Sequence, residues 1–187
     1  NDGRDVLIGG TGDDVLNGGL GLDRLVGNEG SDTANYRYST IGFSIDLGFG
    51  TANGNAVDSD VLVEIENIEA SNFNDVILGS AASNRIAGNG GDDIISGLAG
   101  SDNLSGGNGN DTLTDDQGSN LLDGGAGTDN LTSLSLSGQH TLLGGTGNDS
   151  LIATGAIVNL DGGDQDDVLF ATGALTQGGS TSNVQDG

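Results

Sequence analysis

Aliphatic residues recur along this chain at intervals of nine. Leu7, Leu16 and Leu25 open the series, and the smaller Ala34 ends its first run. It resumes at Ile77 and continues through Ile86, Ile95, Leu104, Leu113, Leu122, Leu131, Leu142, Leu151, Leu160 and Leu169. One interval, from Leu131 to Leu142, is two residues longer than the rest. The residues beside each aliphatic are mostly polar or small, so one position in nine asks to be buried. Period-two alternation over so short a run predicts a three-residue strand with its middle side chain inward. Six residues rich in glycine, serine, asparagine and aspartate separate successive strands, which is the composition of a turn. The pattern predicts an all-β chain of very short strands and tight turns.

Numbered with the aliphatic at position eight, glycine dominates positions one, two and four, and aspartate or asparagine holds position six. Residues 88–132 carry five consecutive copies, from Gly88-Asn-Gly-Gly-Asp-Asp-Ile-Ile-Ser to Gly124-Gly-Ala-Gly-Thr-Asp-Asn-Leu-Thr. This is the nonapeptide G-G-x-G-x-D-x-U-x. Its glycines let the backbone reach φ > 0, so that successive carbonyl oxygens can point at a common centre. On these motifs the chain resembles the RTX (repeats-in-toxin, haemolysin-type calcium-binding) family over most of its length. The resemblance implies a right-handed parallel β-roll, a β-solenoid with two nonapeptides in each 18-residue coil and about ten coils in all. Stacked coils lie roughly 4.8 Å apart. A Ca²⁺ with oxygens at about 2.3–2.6 Å on each side fits between aspartates at that spacing. Several Ca²⁺ ions are the expected cofactor.

Four segments follow in order. Residues 1–35 form a first repeat block, with position six held by Asp5, Asp14, Asp23 and Asp32. Residues 36–69 break the pattern and read as longer, irregular rungs within the same stack, close to two coils in length. Ile45-Asp-Leu and Ile65-Glu-Asn-Ile resemble a strand pair that interrupts other members of the family. Residues 70–170 are a second block whose two edges differ. One carries Asp75, Asp93, Asp111, Asp129, Asp149 and Asp167; the other runs Asn84, Asp102, Asn120, His140 and Val158. Metal is therefore expected at the aspartates of both blocks and, on the second edge, at Asp102 alone. Residues 171–187 are a degenerate last rung and a polar, frayed tail; Ala171-Thr-Gly-Ala-Leu repeats Ala153-Thr-Gly-Ala-Ile.

Composition narrows the function classes. The 187 residues include 37 glycines, 3% aromatics, and no Pro, Cys, Met or Trp. Without cysteine there is no disulfide, thiolate nucleophile or zinc–thiolate site. A net charge of −24 with four arginines and no lysine opposes binding to nucleic acid or anionic lipid and favours cations. So much self-repulsion with so little apolar material predicts an unfolded metal-free chain. No apolar run is long enough to span a membrane. His140 has no second histidine to share a zinc, and no Gly-x-Ser-x-Gly stands in a strand–turn–helix setting, so the chain reads as non-enzymatic. The aromatics read as cover for the irregular rungs.

The expected function is a calcium-binding structural β-roll of a secreted or cell-surface protein, folding on Ca²⁺ outside the cell. The resemblance implies type I secretion from a Gram-negative-type bacterium, although the family's usual C-terminal export signal is not visible. The chain opens inside a repeat, as an excised or processed piece would. Two alternatives are a self-assembling filament, surface-layer or adhesin subunit that stacks rungs end to end, and a module of an exported hydrolase with its catalytic domain elsewhere.

Overall fold

A computed structural model describes residues 2–55, 58–177 and 183–186, and all its regular elements are strands. They stack in two parallel faces. On the first face Val15–Leu16, Thr33–Asn35, Asn67–Glu69, Arg85–Gly90, Asn103–Asn108, Leu121–Ala126 and Gln139–Thr146 pair in succession. On the second face Val76–Ser80, Ile94–Leu98, Thr112–Asp115 and Asn130–Ser133 do the same. The sequence period sets the register: Ile86 lies opposite Leu104, and Leu104 opposite Leu122. After the two-residue lengthening Leu122 meets Leu142, so the extra residues leave the ladder intact. They emerge at a surface turn where Leu134 and Leu136 are exposed. The chain is thus a parallel β-solenoid of coils of about 18 residues, ~9 turns in all.

The turn count falls below ten because residues 36–69 add only one step to the first face, where Thr33–Asn35 pairs directly with Asn67–Glu69. On the second face the segment adds an antiparallel excursion. Asp58–Val63 pairs in parallel with Arg24–Glu29. Thr51–Asn55 then runs antiparallel to both Asp58–Val63 and Ser44–Asp46, and Ser44–Asp46 returns to a parallel pairing with Val76–Ser80. Tyr36 and Phe43 join the core here, with ring centroids 4.6 Å apart. The aromatics therefore divide: these two are interior, whereas Tyr38 and Phe49 project into solvent.

Where calcium-type turns are lost the coil changes its corner. Ser150–Asp164 is one 15-residue strand that pairs on both faces, with Ser150 opposite Asn130 and Val158 opposite His140. A chain without the glycine turn stays extended round the edge. Of the predicted tail, residues 178–182 and 187 lie outside the described residues, and Asn183–Asp186 pairs with Val168–Gln177.

The core is a single file of aliphatics. Leu25, Ile77, Ile86, Ile95, Leu104, Leu113, Leu122, Leu131, Leu142 and Leu151 are all fully buried. Burying each stabilises the fold by roughly 1.5–3 kcal/mol. Leu113→Ala should cost about 2–5 kcal/mol in urea denaturation with calcium present. Ile94→Ala, on the same face but 55% exposed, should shift stability by no more than about 0.5 kcal/mol.

Candidate metal centres

The turn is shaped by two demands on its backbone. Positions two and four take positive φ, as at Gly107 (110°) and Gly109 (132°). Gly127 stacks on Gly109 so closely that a Cβ would strike the Gly109 carbonyl. Position one obeys a different rule. A Cβ on Gly88, Gly106 or Gly124 would stand under 3.0 Å from the Oδ2 of Asp93, Asp111 or Asp129 respectively. Glycine at position one thus makes room for the carboxylate at position six.

These carboxylates form ladders that run along the stack, from coil to coil. The N–H of Asp75 donates to Asp93 Oδ1 at 2.7 Å, Asp93 to Asp111 at 2.8 Å, and Asp111 to Asp129 at 2.7 Å. Asp129 continues to Asp149 at 2.8 Å and Asp149 to Asp167 at 2.9 Å. In the first block Asp5 donates to Asp23 and Asp14 to Asp32. One oxygen of each accepting carboxylate is thereby engaged. The other is not. Oδ2 of Asp14, Asp23, Asp32, Asp93, Asp102, Asp111, Asp129 and Asp149 is buried with no hydrogen-bond donor.

A buried, ionised oxygen without a partner costs several kcal/mol, so a row of them calls for positive charge. The protein supplies none: the one ion pair among the described residues, Arg37–Glu69, involves none of these aspartates. Burial pushes Asp93 up to about 7, with the charges of Asp75 and Asp111 adding to it against the hydrogen bond from Asp75. Burial likewise pushes Asp129 up to about 6, and raises Asp111 and Asp149. Among the described residues no three carboxylate or imidazole groups converge on one point. A complete shell therefore needs backbone carbonyls or water beside the carboxylates. That donor set of hard oxygens suits Ca²⁺.

Two of the aspartates singled out by position differ from the rest. Asp75 is saturated by protein donors: Phe43 N–H on Oδ1, and the Ser71 N–H and hydroxyl on Oδ2, both at 2.9 Å. It caps its own turn, which lacks the position-one glycine. Asp5 is half-buried at the start of its ladder. On the second edge Asn120 accepts from Asp102 and donates to the Gln117 carbonyl, leaving its amide satisfied. His140 takes a 2.9 Å hydrogen bond with Ser133 through Nδ1.

The ladders also contain members that repeat-counting overlooked. Asp23 N–H donates to Asp60 Oδ1 and Asp32 N–H to Glu66 Oε2, both at 2.9 Å. Each acid stands two residues before a buried aliphatic, Leu62 or Ile68, as position six does before position eight. That signal was present, but the spacings of 37 and 34 residues hid it. Asp115, at position one instead of six, is buried beside Asp102 without belonging to the ladder.

The family model of the RTX calcium-binding nonapeptide repeat matches the chain in four copies, over residues 1–34, 69–104, 96–131 and 142–173. No individual curated protein matches it.

Each raised acid holds its proton more tightly in the folded coil than in the unfolded chain. Without calcium, folding then takes up protons, so stability is greatest below the ordinary carboxylate range and is lost as pH rises through about 6 to 7. In chelator, far-UV circular dichroism should show more β structure at pH 5 than at pH 8. With calcium the order should reverse, because protons and metal compete for the same oxygens.

Proposed function

The chain belongs to the RTX calcium-binding nonapeptide repeat family, and on that premise we propose that it is a calcium-dependent structural β-roll of a secreted or cell-surface protein, ordered by Ca²⁺ outside the cell. The observation that carries this reading is the row of buried aspartate Oδ2 atoms that no protein donor reaches. Asp14, Asp23 and Asp32 hold metal in the first block. Asp93, Asp111, Asp129 and Asp149 hold it along one edge of the second, and Asp102 on the other. Asp5 and Asp167 extend these ladders in register. Each ion bridges carboxylates of successive coils and takes its remaining oxygens from the turns.

Metal binding becomes folding free energy in such a chain. A site at hundredfold excess of ligand over Kd contributes about 2.7 kcal/mol. Several sites together offset the repulsion of a −24 charge. In the low calcium of a cytosol the chain stays extended, which suits export through a type I route from a Gram-negative bacterium; outside, the repeats close. The role is structural rather than catalytic, because calcium keeps the ladder acids ionised and a general acid needs a proton to give. Self-association is a second reading. It is favoured by Val76, Leu78 and Ile94, exposed side by side on adjacent rungs of one face.

Chelator should leave a disordered far-UV spectrum at pH 7.5, and millimolar Ca²⁺ should give a β spectrum. Mg²⁺, with its shorter octahedral bonds, should substitute poorly. An equally ordered spectrum in chelator would overturn the proposal. Asp111→Ala removes an oxygen shared by two sites and should raise the calcium midpoint about tenfold or more, the effect of losing a hydrogen-bonded charge. Asn120→Ala should move it far less. For self-association, the sedimentation mass in calcium should rise above 18.4 kDa with protein concentration.

A further inference from the structure

Position one is glycine along most of the repeats because the position-six carboxylate presses against it, yet Asp115 occupies that position and is completely buried. Its own coil permits this. Position six there is Asn120, whose amide turns to the Gln117 carbonyl at 2.9 Å. The Asp115 side chain reaches back to the preceding coil, where Gly97 and Asp102 stand. A Cβ built on Gly97 would lie under 3.0 Å from both Asp115 Oδ2 and Asp102 Oδ2. Two carboxylate oxygens from successive coils therefore converge on one side of Gly97.

Both oxygens are buried, no other described residue donates to either, and they face each other closely enough to share a proton when one is protonated. Their partner oxygens are occupied: Asp102 Oδ1 accepts from Asn84 N–H at 2.7 Å, and Asp115 Oδ1 from Gln117 N–H at 3.2 Å. Among the described residues no cationic side chain pairs with them. Ser133 follows Asp115 in the strand register, and the imidazole of the next coil is bonded to that serine.

We infer that Asp115 joins Asp102 as the second carboxylate of one divalent-cation site, selective for a hard, oxygen-seeking ion such as Ca²⁺, on the edge where the repeat's own aspartates give out. This rests on the calcium reading above and adds a ligand that the nonapeptide does not supply. Two carboxylates match the charge of one divalent ion, and turn carbonyls or water complete its shell. The site is the last ionic rung of its edge. The interior pairs that follow are Ser133 with His140, then Ala153 with Val158, so the edge passes from charged to polar to apolar within three coils.

Calcium stoichiometry of the full chain, by equilibrium dialysis and calorimetry, tests the assignment. Asp115→Asn should remove one Ca²⁺ per chain, Asp102→Asn one, and the double variant still one rather than two. Asp115→Gly restores the repeat glycine and should give the same single loss in a coil that circular dichroism shows to be folded. Asp129→Asn, on the opposite edge, is the reference. Unchanged stoichiometry in Asp115→Asn beside a loss in Asp129→Asn overturns the Asp115 site and leaves the calcium reading standing; the pair then shares a proton. Unchanged stoichiometry in both overturns the broader reading and the site with it.

Discussion

A carboxylate oxygen can be buried in a protein only beside a donor, a proton or a cation, and this solenoid buries one such oxygen at nearly every regular turn. The other oxygen of each aspartate ties its coil to the one before through a backbone N–H. The same side chain therefore registers the stack and creates the charge that the stack must neutralise. Glycine at position one follows from placing that carboxylate against the turn, whereas positions two and four answer to positive φ and to the close backbone of the neighbouring coil. With four arginines in the whole chain, compensation has to come from solution.

Two kinds of cohesion are combined, and the second edge separates them. Along the aspartate edge the aliphatic file and the carboxylate ladder run together from Asp93 to Asp167. Along the other edge the ladder fails step by step, yet Leu104, Leu122 and Leu142 remain in register. The coil persists there because backbone pairing and apolar stacking continue where the carboxylates stop. Ser150–Asp164 shows the limiting case, a strand that rounds the corner with Val158 where the acid had been. Nearest-neighbour stacking of this kind lets one edge keep its carboxylates while the opposite edge gives them up.

The segment 36–69 keeps this logic under a different chain path. Its antiparallel excursion and its buried pair Tyr36 and Phe43 abandon the nonapeptide, yet Asp60 and Glu66 still receive N–H bonds from Asp23 and Asp32. Tyr36 donates its hydroxyl to Asp60 Oδ2 at 3.1 Å, so here a phenol occupies an oxygen that the regular turns leave open. The carboxylate ladder of the first block thus extends into the break in the repeat.

The period of nine, read from the sequence alone, determined the short strands, the aliphatics of the regular coils that fill the core and the edge that keeps its aspartates; the parallel solenoid came from the family that the repeat resembles. Those features are local and recur from coil to coil, so a one-dimensional pattern records them. It did not determine which acids are free. Asp75 and Asp93 look alike in the repeat, but Ser71 donates to Oδ2 of the first and no donor among the described residues reaches Oδ2 of the second. Nor did it show that Asp115 meets Asp102, or that Asp60 and Glu66 stand in for position six. Each of those contacts joins residues from different coils through side-chain direction and hydrogen-bond occupancy. Only the stacked structure sets these.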